Sequence, residues 1–304
     1  MNPDFPPADA PAKRVPSNLR LRVIWGVLAA ALLISCTYGG PISFGLFFAA
    51  VQAVMLKEFY RIMRASGYAP AKWIGIVAGT LLFAVIFYNR WTATAFLAGE
   101  DDTLGNPIGF IVPIAAALIL LLPVILLVRE LKLWPNSQHP FSNVAVTLLG
   151  LFYISIPMAL LNVIAFVEHH GYDARHVFCL IVLVWAADTG AYFAGKNFGR
   201  HKLAPGISPG KTWEGWAGGA LLALATGWAF GQFVPDIPLT HRLVAAGVVA
   251  VFGPLGDLAE SMLKRSAGVK DSGTFLPGHG GLLDRFDAFL LVLPVLVLLQ
   301  LLAG

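Results

Sequence analysis

The chain has 304 residues, of which 57% are hydrophobic and only 12% charged, and its mean hydropathy is +0.73. A soluble domain carries about 25% charged residues, so this composition excludes a soluble globular protein and predicts an all-α, polytopic membrane protein. The formal net charge of +4 comes from Lys and Arg flanking the apolar runs, where they attract anionic lipid head groups; nothing in it points to nucleic acid.

Residues 1–18, MNPDFPPADAPAKRVPSN, are rich in Pro and Ala and lack the apolar stretch and cleavage site of a secretory signal. They are expected to be a disordered cytoplasmic tail. After them the apolar runs predict about nine membrane-spanning helices, near residues 20–38, 42–56, 73–89, 107–128, 144–167, 176–195, 213–233, 242–262 and 286–303. Positive charge tests that count, because Lys and Arg gather in cytoplasmic loops. With the N-terminus in the cytoplasm, all of the 21 Lys and Arg residues except Arg90, Arg175 and Arg242 fall on the cytoplasmic side. A missed span in the middle of the chain would scramble that asymmetry. Cys36 and Cys179 both lie in predicted spans, which supports neither a disulfide framework nor a thiolate metal site.

The two halves differ in where their carboxylates fall. Over 19–175 they sit in loops or near span ends, as at Glu58, Glu130 and Asp173, and these helices are expected to be scaffold and a route for lipid. Over 176–304 they enter the spans, and this half is expected to be the catalytic membrane domain, with its site at the cytoplasmic edge. The first is Asp188, an intramembrane acid among Ala186, Ala187, Gly190, Ala191 and Ala194, small residues that permit close helix packing. Next, the stretch 195–215, GKNFGRHKLAPGISPGKTWEG, brings Lys196, Arg200, His201, Lys202 and Lys211 together with Ser208 and Thr212, and Glu214 opens the following helix. Ser208, Lys211 and Thr212 can converge on phosphate oxygens. The PGKT within it is not a P-loop, because the position where that spacing requires Gly is Pro205 and no strand is expected upstream.

Asp257, Glu260, Ser261 and Lys264 recur at i, i+3, i+4 and i+7, on one face of a helix. Just ahead of them Gly253, Pro254 and Gly256 weaken the helix, freeing carbonyls and admitting another backbone or a ligand. The stretch 261–287, SMLKRSAGVKDSGTFLPGHGGLLDRFD, then packs cations, carboxylates and His279 between two apolar segments. A charge at a helix centre in the membrane costs roughly 2.5 to 3.5 kcal/mol, so such density at a membrane edge implies a polar ligand. Asp284 and Asp287 open the last helix on either side of Arg285, next to His279, Gly280 and Gly281, whose backbone can bend around a phosphate. Hard oxygen ligands with no Cys and few His favour Mg2+, held by Asp257 with Asp284 or Asp287, and leave a second metal ion open.

From about residue 185 to 290 the sequence resembles the membrane CTP:phosphatidate cytidylyltransferases, also called CDP-diacylglycerol synthases. Their C-terminal signature is met by Ser261, Leu263, Lys264, Arg265, Lys270, Asp271, Gly273, Leu276, Pro277, His279, Gly280, Gly281, Leu282, Asp284, Arg285, Phe286 and Asp287. Their upstream pattern is met by Asp188 to Tyr192 and by Ser208 to Gly215. Residues before 180 resemble the family in hydropathy, and one position departs: Gly210 stands where many members carry Lys. The resemblance implies that CTP and phosphatidate give CDP-diacylglycerol and pyrophosphate with Mg2+. It implies metal binding by Asp257, Asp284 and Asp287, and phosphate binding by Lys264, Arg265, Lys270, Arg285 and the Ser208 to Thr212 loop. Glu260 and Asp271 are expected to orient those groups, Ser261, His279, Gly280 and Gly281 to line the substrates, and Asp188 and Glu214 to support them from behind. The expected setting is the cytoplasmic face of a membrane, the inner one in a bacterium, and the small-residue helices are compatible with a homodimer.

Two other functions fit parts of the pattern. An ion-coupled transporter also uses intramembrane acids and Gly-Pro breaks, but it would hold its acids near the midplane rather than at one edge among basic partners. A CTP-dependent lipid kinase acting on a polyprenol-type acceptor would keep the nucleotide and change the acceptor; the signature disfavours it.

Overall fold

The computed structural model describes residues 19–97, 108–167, 170–273, 275 and 280–303. The expected tail at 1–18 and the signature residues Leu276, Pro277 and His279 lie outside the described residues. Among the described residues ten α-helices follow in chain order: α1 Leu19–Tyr38, α2 Pro41–Ala65, α3 Lys72–Leu97, α4 Ile108–Leu133, α5 Pro140–Gly150, α6 Ile156–Ala165, α7 Ala174–Phe198, α8 Trp213–Ala229, α9 Leu239–Ser266 and α10 Leu283–Ala303. Each predicted span corresponds to one of these, with α5 and α6 forming a single span through a π-helical turn at Leu151–Ser155. Several helices overrun the predicted ends; α2 continues through Lys57, Glu58, Arg61 and Arg64. Hydropathy registers only the lipid-buried part of a helix, while the backbone ladder continues for as long as the residues are good helix formers.

Among the described residues six stretches are long and apolar enough to cross a membrane: Pro41–Ala65, Lys72–Thr94, Pro140–Ala165, Ala174–Phe198, Leu239–Ser266 and Leu283–Leu302. The remaining expected spans fall on α1, α4 and α8. The chain is thus an all-α, multi-pass membrane protein, in which helices satisfy the backbone polar groups that lipid cannot.

The described residues form two compact units. The first takes in residues up to 162, 166–172 and 264–284; the second takes in 163–165, 173–263 and those from 285 onward. The segment 264–284, expected to belong with the C-terminal half, packs with the first unit.

In the first unit α2 carries an apolar stripe at helical spacing, Phe44, Phe48, Val51, Met55, Phe59 and Ile62, all buried. Tyr60 is also fully buried and its hydroxyl donates to the Thr147 carbonyl at 2.9 Å. Two glycines make room for it: a Cβ at Gly75 of α3 would stand 2.2 Å from the Tyr60 hydroxyl, and one at Gly150 of α5 would stand 2.6 Å from it. A polar network ties the α2–α3 connection to α4 and α5. The buried Glu130 carboxylate accepts from Ser137 at 2.6 Å and from Asn143 at 3.2 Å, while Asn143 accepts from the Ala69 N–H at 2.7 Å. Leaving such buried groups unpaired would cost about 1–3 kcal/mol each. The π-helical turn coincides with Pro157, which has no N–H for the Tyr153 carbonyl; the Ile156 N–H reaches back to Leu151 instead. A two-residue hairpin pairs β1, Phe166–Val167, with β2, Gly171–Tyr172.

In the second unit α7 and α8 pack backbone to backbone. A Cβ at Gly190 would stand 2.6 Å from the Gly218 carbonyl oxygen, and one at Gly219 would stand 2.6 Å from that of Ala187. The small residues around Asp188 are therefore used within the chain. Between these helices, where a loop was expected, β3, Lys202–Ala204, pairs antiparallel with β4, Ser208–Thr212. Pro254 interrupts the ladder of α9, because it offers no N–H to the Ala250 carbonyl. The indole N–H of Trp216 donates to that carbonyl instead, at 2.8 Å.

Candidate active site

Within the second unit, Asp257 and Glu260 of α9 and Asp287 of α10 each present one oxygen, all within 4.8 Å of one another. Helical spacing alone puts the first two on one face. Asp287 joins them because Gly256 has no side chain: a Cβ there would stand 2.5 Å from the Asp287 carbonyl oxygen and 2.9 Å from the Ala288 Cα. Glu260 is completely buried, while Asp257 and Asp287 are partly accessible. Lys211, at the end of β4, pairs with Asp257 at 2.7 Å and donates to the Pro254 carbonyl at 3.1 Å. The Ser261 hydroxyl donates to Asp257 at 3.3 Å. Asp188 interacts electrostatically with Asp257, Lys211 and Arg285, so the acid inside α7 belongs to the same charged group. Two carboxylates about 4 Å apart repel by about 4 kcal/mol at an effective dielectric constant near 20. Lys211 offsets part of that repulsion. Three hard oxygen donors without sulfur or imidazole suit a divalent cation.

The β3–β4 hairpin is built by Thr212, which was expected to meet substrate, and by Glu214, which was expected to support the site from behind. Thr212 is buried, and its hydroxyl oxygen accepts from the Gly215 N–H at 3.1 Å, capping α8. Glu214 accepts from the N–H of Arg200 at 3.1 Å and of His201 at 3.2 Å, and meets the His201 ring at 2.6 Å. These bonds close the base of the hairpin. Ser208 lies opposite Ala204, and the side chains of Arg200, His201 and Lys202 remain exposed.

Within the first unit, Asp284 has donors of its own. It accepts from Lys264 at 2.8 Å, from the Gly281 N–H at 2.8 Å and from the Ser272 N–H at 3.2 Å. Gly280 beside it has φ +84°, a conformation in which glycine is not strained. Arg265, Lys270 and Asp271 are exposed along the same segment, and His279 lies outside the described residues. Two further residues meet this segment from α2, and the sequence reading placed neither there. Glu58 is 5% exposed; it accepts from the Leu283 N–H at 2.8 Å and from the Ser272 hydroxyl at 3.4 Å. Arg61 donates to the Ser272 carbonyl. In the sequence both resemble ordinary residues of a basic helix end. One signal was present: Glu58 falls three residues after Met55 and four before Ile62, in a slot the apolar stripe reserves for a hydrophobe.

The sequence matches the cytidylyltransferase family over residues 20–302. It is 34% identical over 284 residues to the phosphatidate cytidylyltransferase of Bacillus subtilis (strain 168), an alignment covering 93% of this chain and 97% of that one. It is 36% identical over 278 residues to the phosphatidate cytidylyltransferase of Haemophilus influenzae, covering 88% of this chain and 93% of that one. The similarity therefore extends through the helices before residue 180, where hydropathy alone had carried the resemblance.

Proposed function

The chain belongs to the cytidylyltransferase family, and on that premise we propose that it joins CTP and phosphatidate into CDP-diacylglycerol and pyrophosphate. The observation that carries this reading is the group of Asp257, Glu260 and Asp287 with Lys211 beside it, a site for a cation-bound polyphosphate.

The phosphate of phosphatidate is already anionic, so its oxygen can attack the α-phosphorus of CTP without an amino-acid nucleophile. A new P–O bond forms there as the bond to the bridging oxygen breaks, and pyrophosphate leaves with the electron pair. The task left to the protein is to bring anions together in line and hold them. Asp257, Asp287 and Glu260 would hold Mg2+, which when bound neutralises phosphate charge and polarises the phosphoryl group. Lys211, Arg285, Lys264, Arg265 and Lys270 supply cations for the phosphates. Asp284 orients Lys264 and the glycine turn, and Thr212 and Glu214 hold the hairpin that carries Lys211. The distribution of Lys and Arg supports a reaction at the cytoplasmic edge of the membrane, the inner membrane in a bacterium.

Purified protein in mixed micelles of detergent and phosphatidate, given CTP and Mg2+, should release CDP-diacylglycerol and pyrophosphate in equal amounts. EDTA and Asp257→Asn should each abolish both products. Protein that binds CTP yet converts none of several phosphatidates would sink this assignment and point to another lipid acceptor.

A further inference from the structure

A carboxyl group is costly to bury, and the apolar stripe of α2 would accept a hydrophobe at position 58 at no such cost. Glu58 nonetheless sits there, and it accepts hydrogen bonds from residues far away in the chain. A single oxygen, Oε2, accepts from Leu283 and Ser272, residues 225 and 214 positions away in the chain. Arg61, nearly one turn further along α2, donates to the carbonyl of the same Ser272. The side chain also crowds two glycines, Gly273 alone and Gly281 together with the Ser272 hydroxyl. A Cβ at Gly273 would stand 2.2 Å from Glu58 Oε1, and one at Gly281 would stand 2.5 Å from Glu58 Oε2. The main chain has closed around this carboxyl group from both sides.

The stems held in this way are the ones Asp284 grips. The N–H groups of Ser272 and Gly281 both donate to Asp284, which also receives Lys264. We propose that Glu58 is a positioning residue for nucleotidyl transfer, fixing from α2 the two stems of the signature segment so that Lys264 and Asp284 stand where the phosphates require them. This rests on the cytidylyltransferase reading above and adds to it a residue from the half of the chain expected to be scaffold.

The test compares wild type, Glu58→Ala, Glu58→Gln and Gly273→Ala, alone and combined, in the micelle assay, with kcat, KM for CTP, the Mg2+ activation midpoint and the melting midpoint in detergent. Glu58→Ala should lower kcat/KM on the order of a hundredfold, as small misplacements of reacting groups do, and leave the Mg2+ midpoint unchanged. Glu58→Gln keeps an oxygen for Leu283 and Ser272 and should recover most of the loss. Gly273→Ala should be damaging alone and add little to Glu58→Ala, because the clash partner is gone. Wild-type kinetics in Glu58→Ala, fully additive losses with Gly273→Ala, or equal loss of activity and folded protein in the Ala and Gln variants would each overturn the proposal. A wild-type protein without turnover would take the underlying reading down as well.

Discussion

Gly256 of α9 packs against the main-chain oxygen of Asp287, so closely that a Cβ would stand 2.5 Å from it. The meeting of three carboxylates depends on that contact, since Asp287 reaches Asp257 and Glu260 only where the backbones touch. Gly256→Ala must push the chains apart at a cost of about 1–3 kcal/mol. Its Mg2+ activation curve should move to higher concentration and its turnover should fall. Gly253→Ala is the control: its Cβ would find nothing nearer than 3.9 Å, and both quantities should stay at wild-type values.

Asp284 and Asp287 should fail in different ways. Asp287 belongs to the carboxylate group, whereas Asp284 accepts from Lys264, Gly281 and Ser272. Asp287→Asn should therefore raise the Mg2+ requirement, and Asp284→Asn should raise KM for CTP at an unchanged Mg2+ midpoint. Titrating Mg2+ and CTP separately on each variant decides the point; identical shifts in both would mean that the two aspartates act as one site.

Trp216→Phe removes the only donor described for the carbonyl that Pro254 leaves open. A buried carbonyl left without a partner costs about 1–3 kcal/mol, so the melting midpoint in detergent should fall. Pro254→Ala returns an N–H to the helix, and in that background Trp216→Phe should cost distinctly less. Equal costs in both backgrounds would mean that Trp216 does not compensate for Pro254.

Gly210 is exposed, and a Cβ there would meet nothing within 4 Å. Gly210→Lys should fold normally and place one more cation on the hairpin. An exposed charge contributes about 0.2–1 kcal/mol, so KM for CTP should drop by about fivefold at most. The gain should fade as salt is raised; a KM insensitive to the added charge at low salt would place the nucleotide away from this strand.

Much of the fold was legible because each membrane helix must be apolar over its own length, a property readable without knowing its neighbours. The pairing of Asp257 with Glu260 was legible for the same reason, since both lie on one face of one helix. Within the expected loop 195–215, residues 202–212 form a hairpin closed by Glu214 and His201, groups whose partners lie across the turn. Glu58 was passed over because its neighbours Lys57, Arg61 and Arg64 read as a topology signal, while its hydrogen-bond partners lie more than 200 residues away.

The sequence by itself determined the membrane class, the order of the helices, the signature motif and the sign of charge at its edge, because transfer into lipid and helical periodicity act on neighbouring residues. Only the tertiary structure decided that Asp287 joins Asp257 and Glu260, that Thr212 caps a helix, and that Glu58 accepts from Leu283 and Ser272. Those outcomes turn on contacts a few ångströms long between residues far apart in the chain, set by close packing at positions such as Gly256, Gly273 and Gly281.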